Sequence, residues 1–264
     1  MRNPVNFPEK YGPWAVVAGG SEGLGAAFAK QLAARGMNLL LLARREELLQ
    51  ETAGRLASEY PVKIHTLVLD LADTELDDII REATRELEVG MLIYNAAFIP
   101  IGAFMDSDLD LHQQVIDVNV RGPLILLHAL LGPMRERQRG AVVLMSSMGG
   151  MQGLPGLSVY SATKAFNTMF AEGLWYELRQ QGIDVLACCA GATRTPAYFR
   201  SFGKAVPGML ESDVVARKTL SVLGKGPRVV PGFINRIGAF INGRLLSRKA
   251  AIRLVARTTW RNDD

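Results

Sequence analysis

The stretch VVLMSSMGGMQGLPGLSVYSATK, residues 142 to 164, reads in turn as a strand, a loop and a helix. Residues 141 to 145 form an apolar, β-branched run of the kind buried on both faces of a parallel sheet. Ser146 and Ser147 close that strand, and a Gly/Pro-rich loop follows from 148 to 156. A helical pattern opens near Tyr160 and runs to about 181. Tyr160 and Lys164 are four residues apart, so on a helix they stack on one face. A phenol of pKa ~10 is a poor base at neutral pH. An ammonium ~4 Å away, at an effective dielectric of ~20, would favour the phenolate by roughly 4 kcal/mol, an upper figure because burial opposes it. Such a pair suits general acid–base chemistry, and Ser147 at the strand end can polarise a carbonyl oxygen.

Upstream, residues 14 to 18 form a short apolar strand that leads into Gly19-Gly20-Ser21-Glu22-Gly23-Leu24-Gly25 and then a helix to about 35. Glycines here permit a tight turn, let backbone N–H groups approach a pyrophosphate and aim a helix N-terminus at it. The next strand, 38 to 43, ends at Arg44-Arg45. An acidic residue at that end would take the ribose hydroxyls of NAD. None is there, and an arginine suits a 2′-phosphate instead. Arg44 therefore points to NADP, with NAD the lesser expectation. Ser21 can add a hydroxyl contact, whereas Glu22 would oppose a phosphate if turned inward.

Strands at 63 to 69, 91 to 94, 183 to 189 and 228 to 230 alternate with helices at 45 to 60, 75 to 87, 109 to 137 and 211 to 223. The helix from 109 to 137 is expected to bend near Gly122-Pro123. This alternation predicts one α/β domain, a doubly wound Rossmann fold whose parallel sheet is flanked by helices. Its boundaries are 13 to 232, preceded by an aperiodic arm, 1 to 12, and followed by a basic amphipathic extension, 233 to 264. The site belongs at the C-terminal ends of the strands, where Gly19, Asn95, Ser147 and Gly191 fall.

The bulk numbers agree. A chain of 264 residues has length for one large core, and a net charge of +4 is too mild to imply nucleic acid. Cys188 and Cys189 are adjacent in a strand and should face opposite ways, which disfavours a disulfide. His65, His112 and His128 show no ligand spacing, so no metal is expected and each histidine reads as a core or helix-surface residue. The first ten residues lack an apolar core, so no secretory signal is read. No run reaches ~18 apolar residues, so no spanning helix is expected and the default address is cytoplasmic.

Taken together, Ser147, Tyr160, Lys164 and the glycine turn resemble the catalytic and cofactor motifs of the classical short-chain dehydrogenase/reductase family. The resemblance runs from Trp14 to about Val230. The turn matches the family's Thr-Gly-x-x-x-Gly-x-Gly, with Ala18 in place of the threonine. The resemblance implies cofactor contacts from Gly19, Ser21, Gly23, Leu24, Gly25 and Arg44, and an adenine contact from Asp70-Leu71. Taken alone, Asp70 or Asp73 reads almost equally as a helix cap. Asn95-Ala96-Ala97 is similar to the family's Asn-Ala-Gly segment beside the cofactor. Asn119 matches an asparagine at a helix irregularity that holds a water in a proton relay to the lysine. Gly191, Thr193 and Thr195 match the segment beside the nicotinamide, Ala190 standing where a proline is usual.

The activity so implied is an NADP(H)-dependent oxidoreductase interconverting a secondary alcohol and a ketone. Tyr160 moves the proton, Lys164 lowers its pKa and holds the nicotinamide ribose, Ser147 orients the oxygen and Asn119 supports the relay. Met148, Met151, Leu154, Pro155, Leu157, Phe98 and Phe199 suggest an apolar cavity, roofed by a mobile flap from 198 to 209. The alternatives are a non-catalytic cofactor-binding sensor and a lipid-surface scaffold of the same fold. A homo-dimer or homo-tetramer is the family's habit. In the extension, arginines at 253, 257 and 261 share a helical face. That pattern suits peripheral contact with anionic lipid. From the sequence alone the preferred reading is a helix covering the sheet or a subunit boundary with its charges in water.

Overall fold

The computed structural model describes residues 6–259. A five-residue helix, α1 (Phe7–Tyr11), precedes β1 (Trp14–Ala18), α2 (Gly23–Ala33), β2 (Asn38–Ala43), α3 (Glu46–Glu59), β3 (Ile64–Val68), α4 (Leu76–Thr84) and β4 (Val89–Tyr94). The second half holds α5 (Leu109–Ile116), α6 (Gly122–Glu136), β5 (Gly140–Ser147), α7 (Ser158–Leu178) and β6 (Ile183–Ala190). A short pair, β7 (Thr193–Arg194) and β8 (Leu210–Glu211), brackets α8 (Pro196–Phe202), and α9 (Ser212–Ser221) leads to β9 (Arg228–Val229). The extension folds as α10 (Phe233–Phe240) and α11 (Arg248–Thr259).

The main sheet is parallel, in the order β3-β2-β1-β4-β5-β6-β9. The chain winds outward from β1 to β3, then crosses back to β4 and winds the other way, so the switch point lies between β1 and β4. Central strands are buried on both faces, which explains their unbroken apolar runs. The edge strand β3 has only exposed and half-buried positions. Two apolar layers result. One packs Phe28, Leu32, Leu41, Leu49 and Leu186 beneath α2, α3 and α9, and the other packs Leu40, Leu76, Leu92, Leu126 and Val185 beneath α4, α6 and α7.

Several expectations need correction. The N-terminal arm is docked: Asn6 accepts a hydrogen bond from the Glu9 amide, and Phe7 and Tyr11 enter the core. The Tyr11 hydroxyl and Lys10 both reach Asp184 on β6. The expected helix at 109 to 137 is continuous, but its middle, Asp117–Arg121, is a π turn. Pro123 has no N–H to give the Asn119 carbonyl four residues back, and the Gly122 amide bonds Asp117 instead of Val118. Two carbonyls are left over. The buried Tyr94 hydroxyl donates to that of Val118 at 2.6 Å, and Asn167 Nδ2 to that of Asn119 at 3.1 Å. By length and mean hydropathy, 1.4, the helix Leu109–Glu136 could cross a bilayer, but half of that window is buried, as befits a core helix. Cys188 and Cys189 are free, buried thiols facing opposite layers, towards Thr219 and Thr168.

Candidate active site

The glycine turn sits at the end of β1 on the switch point. Gly19 has φ +79°, open to glycine at little cost, and a Cβ there would stand 2.9 Å from Ala96. A Cβ on Gly25 would fall on the Gly19 carbonyl oxygen, so α2 can close on the turn only with glycine at that position. Asn95 Nδ2 donates to the same carbonyl at 3.1 Å, and the Ala18 carbonyl accepts from the amides of Asn95 and Ala96. Backbone bonds thus hold the turn where Ala18 replaces a hydroxyl residue. Glu22, the N-cap of α2, gives no side-chain cap, so the helix's first amides have no such partner. An uncapped N-terminus behind a glycine cradle fits a pyrophosphate.

The adenosine end is equally placed. Ser21 is buried, and its carbonyl accepts from Thr52 at 2.8 Å. Arg44, at the end of β2, lies 3.6 Å from the Asp70 carboxylate at the end of β3, both half in solvent. Asp70 also accepts from the Ala72 amide, and Leu71 is buried beside it. Glu22 does not oppose a phosphate with a bare charge, because Arg45 at 2.7 Å and Arg200 both pair with it and hold its carboxyl below the usual range. Arg200, from α8, has no local motif that marks it in the sequence. It ties the segment expected to be a mobile flap to the turn. Its first part, to Phe202, is a helix capped by Thr195, whose hydroxyl accepts from the Tyr198 amide at 3.0 Å. Thr195 also packs against Gly23. Thr193 donates to the Gly191 carbonyl at 3.0 Å, and Gly191 lies against Asn235 of α10.

β5 delivers Ser147, and α7 delivers Tyr160 and Lys164, to the same place. The Gly149 amide bonds Ser147 Oγ at 3.0 Å, which turns the loop back over the strand end. A Cβ on Gly150 would strike the Lys164 backbone, so glycine lets this loop lie on α7. Lys164 is buried, and its Nζ donates to the Met145 carbonyl at 2.8 Å. It lies 5.7 Å from the centre of the Tyr160 ring. The two groups share a face, but the ammonium addresses a strand carbonyl more closely than the phenol.

The expected electrostatics are reversed for that reason. Burial pushes the Tyr160 hydroxyl up to about 12, with Ser147 acting in the opposite sense. Burial also lowers Lys164 to about 8. At neutral pH the phenol is a held proton, ready to be donated. Asn119 also has a part that the resemblance did not imply. Its side chain accepts from the Phe98 amide at 2.8 Å and donates to the Phe98 carbonyl and to Thr163 Oγ1. It pins the loop after β4 to α7, one residue from Lys164. Thr163 and Asn167, overlooked in the sequence, complete this network.

Beside Tyr160 a recess is lined by Pro100, Phe104, His112, Val115 and Val159. Leu157, one of the residues expected there, lines it too, whereas Leu154 is a buried packing residue and the Met148 methyl reaches Gly238 on α10. The apolar character expected of the cavity is therefore supplied in part by other residues. His112 stacks on Phe104 at 4.6 Å, at the rim of this recess.

Known proteins share this fold. A family model described as short chain dehydrogenase matches residues 13–202. A 7beta-hydroxysteroid dehydrogenase of Clostridium sardiniense is 35% identical over 235 residues, 88% of this chain and 90% of that protein. A human protein described as inactive hydroxysteroid dehydrogenase-like protein 1 is 37% identical over 180 residues, 67% of this chain and 54% of its own. A structure from work on 7beta-hydroxysteroid dehydrogenase stereoselectivity superposes with a TM-score of 0.90 at 29% identity, over 96% of this chain and 100% of that one. A short-chain dehydrogenase from Sphingobium yanoikuyae in complex with NADPH gives 0.75 at 31% identity, over 83% and 86%.

Proposed function

Since the chain belongs to the short chain dehydrogenase family and is an oxidoreductase acting on CH–OH groups, we propose that it interconverts a secondary alcohol and a ketone on a bulky apolar skeleton with NADP(H). The observation that carries this reading is the convergence of Ser147, Tyr160 and Lys164 beside an uncapped glycine turn at the switch point. The cofactor preference is supported by Arg44 at the end of β2, by the neutralised Glu22, and by the NADPH held by the Sphingobium relative. The steroid named for the Clostridium relative suggests a hydroxysteroid and its ketone as the first pair to try.

When bound, the nicotinamide supplies or accepts the hydride at the substrate carbon. The residues of this chain would then do the following. Ser147 orients the substrate oxygen by its hydroxyl. Tyr160, protonated at neutral pH, gives its proton to that oxygen as negative charge develops in reduction. Lys164 places a positive charge within reach of the resulting phenolate, which a pKa of about 8 still allows at pH 7. Asn119 acts through the loop it pins, and is a positioning residue. Gly191, Thr193 and Thr195 border the same cleft.

The relative described as inactive makes a non-catalytic cofactor-binding protein the second reading. Retention of all three polar groups weighs against it. NADPH oxidation against a panel of bulky ketones, steroid ketones included and NADH in parallel, tests the proposal. Ketone-dependent NADPH loss that disappears in Tyr160→Phe is the expected result. Tight NADPH binding with no turnover on any ketone would favour the second reading.

A further inference from the structure

The extension presents an apolar face to solvent. α10 and the π turn Ile241–Leu245 that continues it make a helical rod of 13 residues, about 20 Å long. Its inner side is fixed: Asn235 is buried, donates to the Pro231 carbonyl and lies on Gly191, while Gly238 faces Met148. Its outer side carries Phe233, Ile234, Ile237, Phe240 and Leu245, each 44–70% exposed. On an α-helix the first four of these fall within about a third of the circumference. Isolated exposed apolar residues need no explanation, but a contiguous row does.

The charge of the extension that carries the row says what it meets. Residues 233 to 259 contain six basic residues, Arg236, Arg244, Arg248, Lys249, Arg253 and Arg257, and no acidic one. Arg236 flanks the row with its guanidinium 5.9 Å from the Phe233 ring. α11 is held down by the buried Ala251 and by Arg248, which donates to the Met151 carbonyl at 2.6 Å. Arg261 and the side chain of Arg257, the remainder of the expected arginine face, lie outside the described residues, as does Trp260. A second copy of this chain docking row to row would set arginines against arginines. An anionic surface turns the same charges into attraction.

We propose that this face is a docking surface for an anionic lipid bilayer. The apolar row enters the headgroup boundary and the arginines rest on lipid phosphates, as for other interfacial helices. Because the rod touches Met148 and Gly191 at the mouth of the cleft, docking turns that mouth toward the hydrocarbon from which an apolar ketone would enter. That consequence rests on the proposed carbonyl chemistry, whereas the lipid contact does not.

Cosedimentation of the full chain with vesicles tests the contact. The vesicles are phosphatidylcholine alone, and phosphatidylcholine with about a third phosphatidylserine. Binding to the anionic vesicles only, weakened by raised salt, is expected. Each basic residue at such a surface changes partition about fivefold, so the R236Q/R244Q/K249Q variant should bind roughly a hundredfold more weakly. The F233S/I237S/F240S variant should also lose binding. Melting temperature and NADPH oxidation with a water-soluble ketone, both without vesicles, should stay near wild type in the charge variant. Absence of wild-type pelleting, or equal pelleting of the wild type and the charge variant, overturns the proposal. So does a sedimentation-velocity shift to a smaller species in the apolar variant without vesicle binding by the wild type, which would make the row a contact between copies. Loss of ketone turnover with vesicle binding intact would count against the active-site reading alone.

Discussion

Lys164→Met separates what the buried ammonium does for chemistry from what it costs the fold. In the folded protein burial lowers this lysine from its usual 10.5 to about 8. The unfolded chain therefore binds one more proton between those values, and wild-type stability rises with pH across that window. Below about pH 8 the charged form is held at a cost of about 3 kcal/mol, from 1.36 kcal/mol per tenfold step. Methionine is close in volume and has no charge to desolvate. It forfeits the charged Nζ bond to the Met145 carbonyl, a loss of about 2 kcal/mol. The net expectation at pH 7 is a gain of about 1 kcal/mol, or a melting temperature higher by roughly 2–4 °C for a domain of this size. Ketone turnover should be abolished in the same protein. The informative measurement is the difference in unfolding free energy between variant and wild type across pH 6 to 10.5, since other titrations cancel. The gain should be largest below pH 8 and fade toward 10.5. A variant less stable than wild type at pH 7, or a difference flat in pH, would refute the reasoning. Lys164 would then be well solvated or paired.

Tyr160→Phe should lower turnover by about 10²- to 10⁴-fold while NADPH affinity, read by fluorescence titration, changes little. With the phenol near 12, reduction should lose little activity to Tyr160 ionisation across pH 6 to 8, and oxidation should climb with alkalinity; an acid optimum for oxidation would contradict this. Arg44→Ala should cut the preference for NADPH over NADH about 10- to 100-fold, the worth of a charged hydrogen bond, and a ratio that does not move would place the 2′-phosphate elsewhere. Gly122→Ala should destabilise the fold by about 1–3 kcal/mol in urea titration, because the new methyl falls on the Tyr94 hydroxyl that holds the π turn.

Much of this architecture was readable from the order of residues. Strands of unbroken apolar residues separated by amphipathic segments dictate a covered parallel sheet, and the two halves of that pattern place the crossing between β1 and β4. The glycine turn was readable because backbone approach leaves no alternative to glycine at 19 and 25. The break at 117–121 was also visible in outline, since Pro123 removes a donor wherever it stands in a helix. What filled the break was not visible. Tyr94 and Asn167 reach it from β4 and α7, 24 and 48 residues away from the carbonyls they bond. Likewise Arg200 and Glu22 are 178 residues apart, and no periodicity links them. The small helix at Phe7–Tyr11 carried readable signals, Asn6 as cap and Pro8 in the first turn, but five residues lie below the length at which a pattern repeats.

The sign of the Tyr160 shift marks where sequence reasoning stops. Spacing of four fixes that the two side chains share a face, yet a lysine on that face can point along the helix or across to the sheet. The carbonyl of Met145, one residue past the last β5 residue paired with β4, settles the choice, and it does so through strand register, a tertiary property. Once the ammonium is drawn to that carbonyl, its field at the phenol falls while the desolvation of both groups remains, and burial prevails. The result is a pair biased toward donating a proton. An oxidative preference at neutral pH would therefore require Lys164 to leave Met145 for the phenol when the cleft fills. In that case Lys164→Arg, whose planar fork cannot follow the same path, should depress oxidation more than reduction.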